Sequence, residues 1–130
     1  MKIHTTNYVD TFIEVPADCP VVQAEIPPER KQKTVVRRQY ELLCAQPYQY
    51  TSDDVLYASN GEPKGVPRAE FFSKGQPCMR ASSLVKRYGW GVHCDSQGKM
   101  AIYPLESEVY QKLAADPNLK HIKSMRRKKG

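Results

Sequence analysis

The stretch that most constrains this chain runs from Trp90 to Tyr103. Two mostly apolar runs, Trp90-Gly91-Val92-His93-Cys94 and Lys99-Met100-Ala101-Ile102-Tyr103, flank Asp95-Ser96-Gln97-Gly98. Those four residues are turn chemistry, and Gly98 supplies the positive φ that a hairpin loop needs. The segment is expected to be a β-hairpin. Immediately before it, Ser82 or Ser83 can cap a short helix over Leu84 to Tyr88, because a serine hydroxyl accepts a hydrogen bond from a free amide of the first turn. Gly89 stands where a left-handed residue closes a helix, and Lys86 and Arg87 suit the negative end of its dipole. A helix that stops directly before a hairpin brings Arg80, Lys86, Arg87, Tyr88 and His93 near one another.

The remaining chain divides at its prolines. Thr11 to Val15 is β-branched and aromatic and predicts a strand. Pro27-Pro28 makes a loop of the run after Gln23. Thr34 to Ala45 is the clearest helix: Val36, Tyr40, Leu43 and Cys44 recur at i, i+4, i+7 and i+8 as one apolar stripe, which places Cys44 in the core. Thr51 and Asp54 have capping-box spacing at the start of a short helix that ends near Asn60-Gly61. Pro67 opens another helical turn over Ala69 to Ser73, and Gly75 closes it. After Pro104, Ser107 to Ala115 is a helix whose inward-facing candidates are Val109 and Leu113, with Tyr110 and Ala114 beside them, and Leu119 to Met125 reads as a short final strand. These elements predict an α+β fold, in which a small, mainly antiparallel sheet packs against several helices. Residues 1–125 are expected to form one domain, and residues 126–130 a basic tail.

Charge narrows the classes of function. The formal net charge is +6, yet six of the twenty basic residues lie between Lys120 and Gly130, and residues 1–119 carry fourteen of each sign. The excess is a property of one end, whereas a folded nucleic-acid module carries positive charge across a surface. Nucleic acid therefore enters only as an alternative partner, reached through the tail. Apolar runs of a few residues exclude a transmembrane helix. The N-terminus lacks an apolar signal core, so a cytoplasmic location is expected.

Cys19, Cys44, Cys78 and Cys94 show no C-x-x-C pair, and free thiols are expected. A zinc site using Cys78, His93 and Cys94, with His4 or His121 as a fourth ligand, is disfavoured, because adjacent residues on a strand point to opposite faces; no metal is expected. Asp53 and Asp54 are adjacent on a helix and do not converge. Neither G-x-G-x-x-G nor a Walker spacing occurs, and no cofactor is expected. Cys78 follows Pro77 with Lys74 and Arg80 nearby, so it is the candidate nucleophile of a small thiol enzyme, with His93 as its base.

The segments HTTNY (4–8), PYQYTSDDVL (47–56), FFSKGQPCMRAS (71–82) and KRYGWGVH (86–93) together resemble a family of small uncharacterised bacterial proteins. That resemblance spans nearly the whole chain and implies a single-domain protein, without an activity or catalytic residues to carry over. The residues themselves favour a binding module for an anionic ligand or partner. Its expected surface is Lys74, Arg80, Lys86, Arg87, Tyr88, Trp90 and His93, where guanidinium groups would fork onto carboxylate or phosphate.

Overall fold

The computed structural model describes residues 6–76 and 78–123. Four strands form one sheet in the order β3-β2-β1-β4. They are β1 (Thr11–Glu14), β2 (Trp90–Cys94), β3 (Met100–Pro104) and β4 (Lys120–Lys123). β2 pairs antiparallel with both β1 and β3, and β4 adds parallel to β1. The fold is α+β with a mostly antiparallel sheet, as the sequence predicts. The hairpin turns at Gly98 (φ 79°), and Gly89 (φ 80°) closes the preceding helix.

Register decides which side chains share a face. Ile13 pairs with Val92 and Val92 with Ile102, while Phe12 pairs with His93 and Gly91 with Tyr103. Trp90, Val92 and Cys94 thus share one face with Ile13 and Ile102. Phe12, Gly91, His93 and Tyr103 share the other. Phe12 and Ile13 are both fully buried although they point in opposite directions. Both faces of the centre are therefore covered, and each such side chain contributes roughly 1.5–3 kcal/mol.

The Trp90 face carries most of the helices. α1 (Val35–Ala45) is capped by Thr34, whose side chain accepts from Arg37 N, and Tyr40 packs edge-on to Trp90 with ring centroids 5.4 Å apart. α2 (Ser52–Leu56) starts with the capping box the sequence announces, Thr51 and Asp54 bonding reciprocally. It runs on into a π turn, Tyr57–Gly61. α3 (Arg68–Phe71) follows Pro67, and α4 (Ser83–Lys86) is capped by Ser82, whose hydroxyl accepts from Leu84 N. The opposite face is covered by α5 (Glu108–Ala114), where Tyr110 meets Phe12 at 5.0 Å between centroids and its hydroxyl accepts from Val15 N.

Two expectations about orientation are corrected. Cys44 is exposed rather than core. The buried side of α1 is centred on Gln39 and Leu43; Cys44 lies one residue, about 100°, beyond Leu43 in the last turn. The apolar stripe concealed that centre because Gln39 is polar. Val109 is 44% exposed, since Tyr110 takes the sheet-facing position of α5 and its neighbour is rotated away. The basic tail at 126–130 and His4 lie outside the described residues, as does Pro77.

Candidate functional site

The expected anion surface is divided between separate places. Arg87 pairs with Glu25 at 3.2 Å and lies over the Tyr88 ring. Trp90 is buried and donates its indole N–H to Glu25 O at 2.8 Å. Arg87, Tyr88 and Trp90 therefore gather around one acidic segment. Arg80 instead donates from Nε to Lys123 O at 2.7 Å, at the end of β4. Lys86 is half-buried at the end of α4, and Lys74 is exposed beyond α3.

His93 belongs to a different cluster on the α5 face. Its Nδ1 is 2.8 Å from the Tyr48 hydroxyl, which is also 2.8 Å from the Tyr103 hydroxyl. Tyr48 holds this position with φ 60°, a left-handed conformation unusual for a tyrosine, and its N–H donates to Met100 O. Burial lowers the His93 pKa, against the opposing pull of Asp95, Asp116 and Asp10. Burial, followed by the Tyr103 hydroxyl, raises that of Tyr48. Among the described residues no group of three His, Cys, Asp or Glu side chains is placed to hold a metal ion.

Cys78 lies on the helical side, across the sheet from His93. Its Sγ is 3.2 Å from the Tyr8 hydroxyl, and burial together with that hydrogen bond pushes the Tyr8 pKa up to about 12. A neutral phenol of that kind is not a base near neutral pH.

Cys78 lines a cleft of about 370 Å³. Its walls come from the N-terminal half of α1 (Val36, Gln39), the π turn (Asn60), the segment before α4 (Gln76, Cys78) and the α4 cap (Ser82). No charged side chain is among its described lining residues. The volume lies within the usual range for small-molecule sites. The walls are fixed in detail. Gln39 is only 3% exposed. Its Oε1 accepts from Ser82 Oγ at 2.6 Å, and its Nε2 lies 3.4 Å from Ser59 Oγ. The π turn depends on Gly61, where a Cβ would stand 2.6 Å from Tyr57 Cδ1 and 2.9 Å from Phe71 Cδ1. Tyr57 is held in turn by donating to Val66 O at 2.7 Å. Single π turns inside helices recur at functional sites, and this one carries Asn60 to the cleft wall. Asn60 and Gln76 also line an adjoining hollow that contains Lys64, Lys74 and Glu70.

Sequence reasoning singled out Cys78 but missed Gln39 and Asn60. A polar residue inside the apolar stripe of α1 was the available signal for Gln39. Asn60-Gly61 read only as a helix stop.

Over residues 3–130 the chain matches the family of unknown function DUF6157, and it belongs to that family. No curated protein and no solved structure matches it. Among the described residues no helix is long and apolar enough to cross a membrane.

Proposed function

We propose that this member of the DUF6157 family is a small-molecule-binding domain whose ligand occupies the cleft between α1, the π turn and the Cys78 segment. The observation that carries the reading is a polar side chain, Gln39, almost fully buried in the wall of a preformed cleft of about 370 Å³. Buried amides are found where their hydrogen bonds are used, and a cleft that sets fixed polar groups beside apolar side chains, here Val35, Val36 and Leu56, is a usual form of ligand site. A thiol enzyme is the weaker alternative. Cys78 has Tyr8 as its hydroxyl neighbour, while His93 is engaged with Tyr48 on the other face of the sheet.

An anionic group on the same ligand is a second reading, favoured by one observation. The adjoining hollow places Lys64 and Lys74 against a single glutamate, Glu70, and shares Asn60 and Gln76 with the cleft. This retains Lys74 from the expected surface. Binding of nucleic acid through residues 126–130 would be a separate activity, independent of the cleft.

The test is a titration of ¹⁵N-labelled protein with a library of neutral and anionic single-ring compounds. Binding in the cleft shifts the amides of residues 34–39, 56–60 and 78–83 as a group. Hits confined to other surfaces, or no hits, would contradict the proposal.

A further inference from the structure

We infer that the cleft recognises a neutral amide edge, an N–H donor beside a C=O acceptor, as in a lactam, a pyridone or a pyrimidine-type ring. This rests on the binding reading above and names its ligand class.

Ser82 Oγ accepts from Leu84 N at 3.1 Å and donates to Gln39 Oε1 at 2.6 Å, so the Gln39 amide stands with its carbonyl oxygen toward Ser82. Nε2 then faces Ser59 Oγ at 3.4 Å, and the Ser59 hydrogen is directed to Leu56 O at 3.3 Å. One Nε2 hydrogen is used in this long contact. The other has no acceptor among the described residues, and Gln39 lines the cleft. Gln76 is the complement: its Nε2 donates to Phe71 O at 2.7 Å, which leaves Oε1 as a fixed acceptor. Asn60, carried into the wall by the π turn, makes no side-chain hydrogen bond among the described residues and can present either function.

The Gln39 donor, the Gln76 acceptor and the adaptable Asn60 carboxamide, with the hydroxyls of Thr34 and Ser83 on the same walls, suit a partner that offers both functions. A carboxylate offers acceptors only and would set one against Gln76 Oε1. An ammonium offers donors only and would set one against Gln39 Nε2. Either ion would also give up part of its hydration in a cleft with no charged side chain among its described lining residues. An amide edge satisfies both fixed groups without a charge. The apolar wall at Val36 and the partly exposed Val35 suits the face of a planar ring.

The test compares three probes by chemical-shift titration of the full chain: 2-pyridone, N-methyl-2-pyridone and benzoate. The expected result is that 2-pyridone shifts the cleft amides, while N-methyl-2-pyridone, which lacks the donor, binds at least about tenfold more weakly, the equivalent of one good hydrogen bond. Asn60→Leu, at a side chain with no hydrogen bond among the described residues, should weaken 2-pyridone binding by a similar factor with the amide spectrum otherwise unchanged. Equal binding of the N-methyl compound, or tighter binding of benzoate in the cleft, would overturn the inference and leave the binding reading standing. If none of the three perturbs the cleft and the wider ring library also fails there, both fall.

Discussion

Ser82→Ala removes one hydroxyl that does two jobs. It caps α4 by accepting from Leu84 N, and it donates to the buried Oε1 of Gln39 at 2.6 Å. Losing a serine cap costs about 1 kcal/mol. Leaving a buried acceptor without a donor costs about 1–3 kcal/mol, and with Gln39 only 3% exposed water replaces the lost donor poorly. The expected total is about 3 kcal/mol, a sizeable part of the roughly 5–15 kcal/mol that stabilises a domain. Urea denaturation followed by the fluorescence of Trp90, the single tryptophan, should show the midpoint lowered by roughly 1–2 M. A double-mutant cycle separates the two jobs. In a Gln39→Leu background no acceptor remains, so Ser82→Ala should cost only the cap, about 1 kcal/mol. An equal cost in both backgrounds, or a cost below about 0.5 kcal/mol in the wild type, would refute the assignment of Ser82 as the group that fixes Gln39.

Three further outcomes are expected. Gly61→Ala should destabilise the protein by about 1–3 kcal/mol through overpacking against Tyr57 and Phe71 and shift the cleft amides; a thermal melt and spectrum indistinguishable from wild type would show that the π turn is not held as described. Cys94 is fully buried with its pKa pushed up to about 12, burial being the main cause, so mass-spectrometric labelling of native protein at neutral pH should modify the exposed Cys44 and leave Cys94 unreacted; early modification of Cys94 would contradict its placement. Burial lowers the pKa of His93 below its ordinary 6.5. The unfolded chain therefore binds more protons just below that value, and the His93 contribution, present above pH 6.5, is lost as pH falls through the lowered pKa. His93→Phe should flatten the fall in stability between neutral pH and the folded-state pKa, measured by urea midpoints, and an unchanged slope would show that another group sets it.

The order of secondary structure was legible because local chemistry and tertiary structure agree. Ser82, Thr34, Thr51 and Ser107 each stand before a helix whose first turn they cap, and the Asp95–Gly98 turn fixes the register of the hairpin. The rotation of α1 was misread because periodicity counts apolar residues, and the centre of its buried face is Gln39. The parallel addition of β4 to β1 was not legible, since Lys120–Lys123 is mostly exposed and carries no burial pattern to orient it. The cleft was illegible for a related reason. Gln39, Asn60 and Ser82 come from distant segments, and only packing shows that their amide and hydroxyl groups meet. The basic and aromatic residues near Gly89 are adjacent in sequence, yet β-strand alternation sends Trp90 and His93 to opposite faces.

The most direct test of the cleft is a crystal structure of the protein with 2-pyridone. The ring should lie against Val36 and beside Cys78, its carbonyl accepting from Gln39 Nε2 and its N–H directed at Gln76 Oε1 or Asn60. Density for the ring on another surface, or in the cleft with its lactam edge turned to solvent, would contradict it.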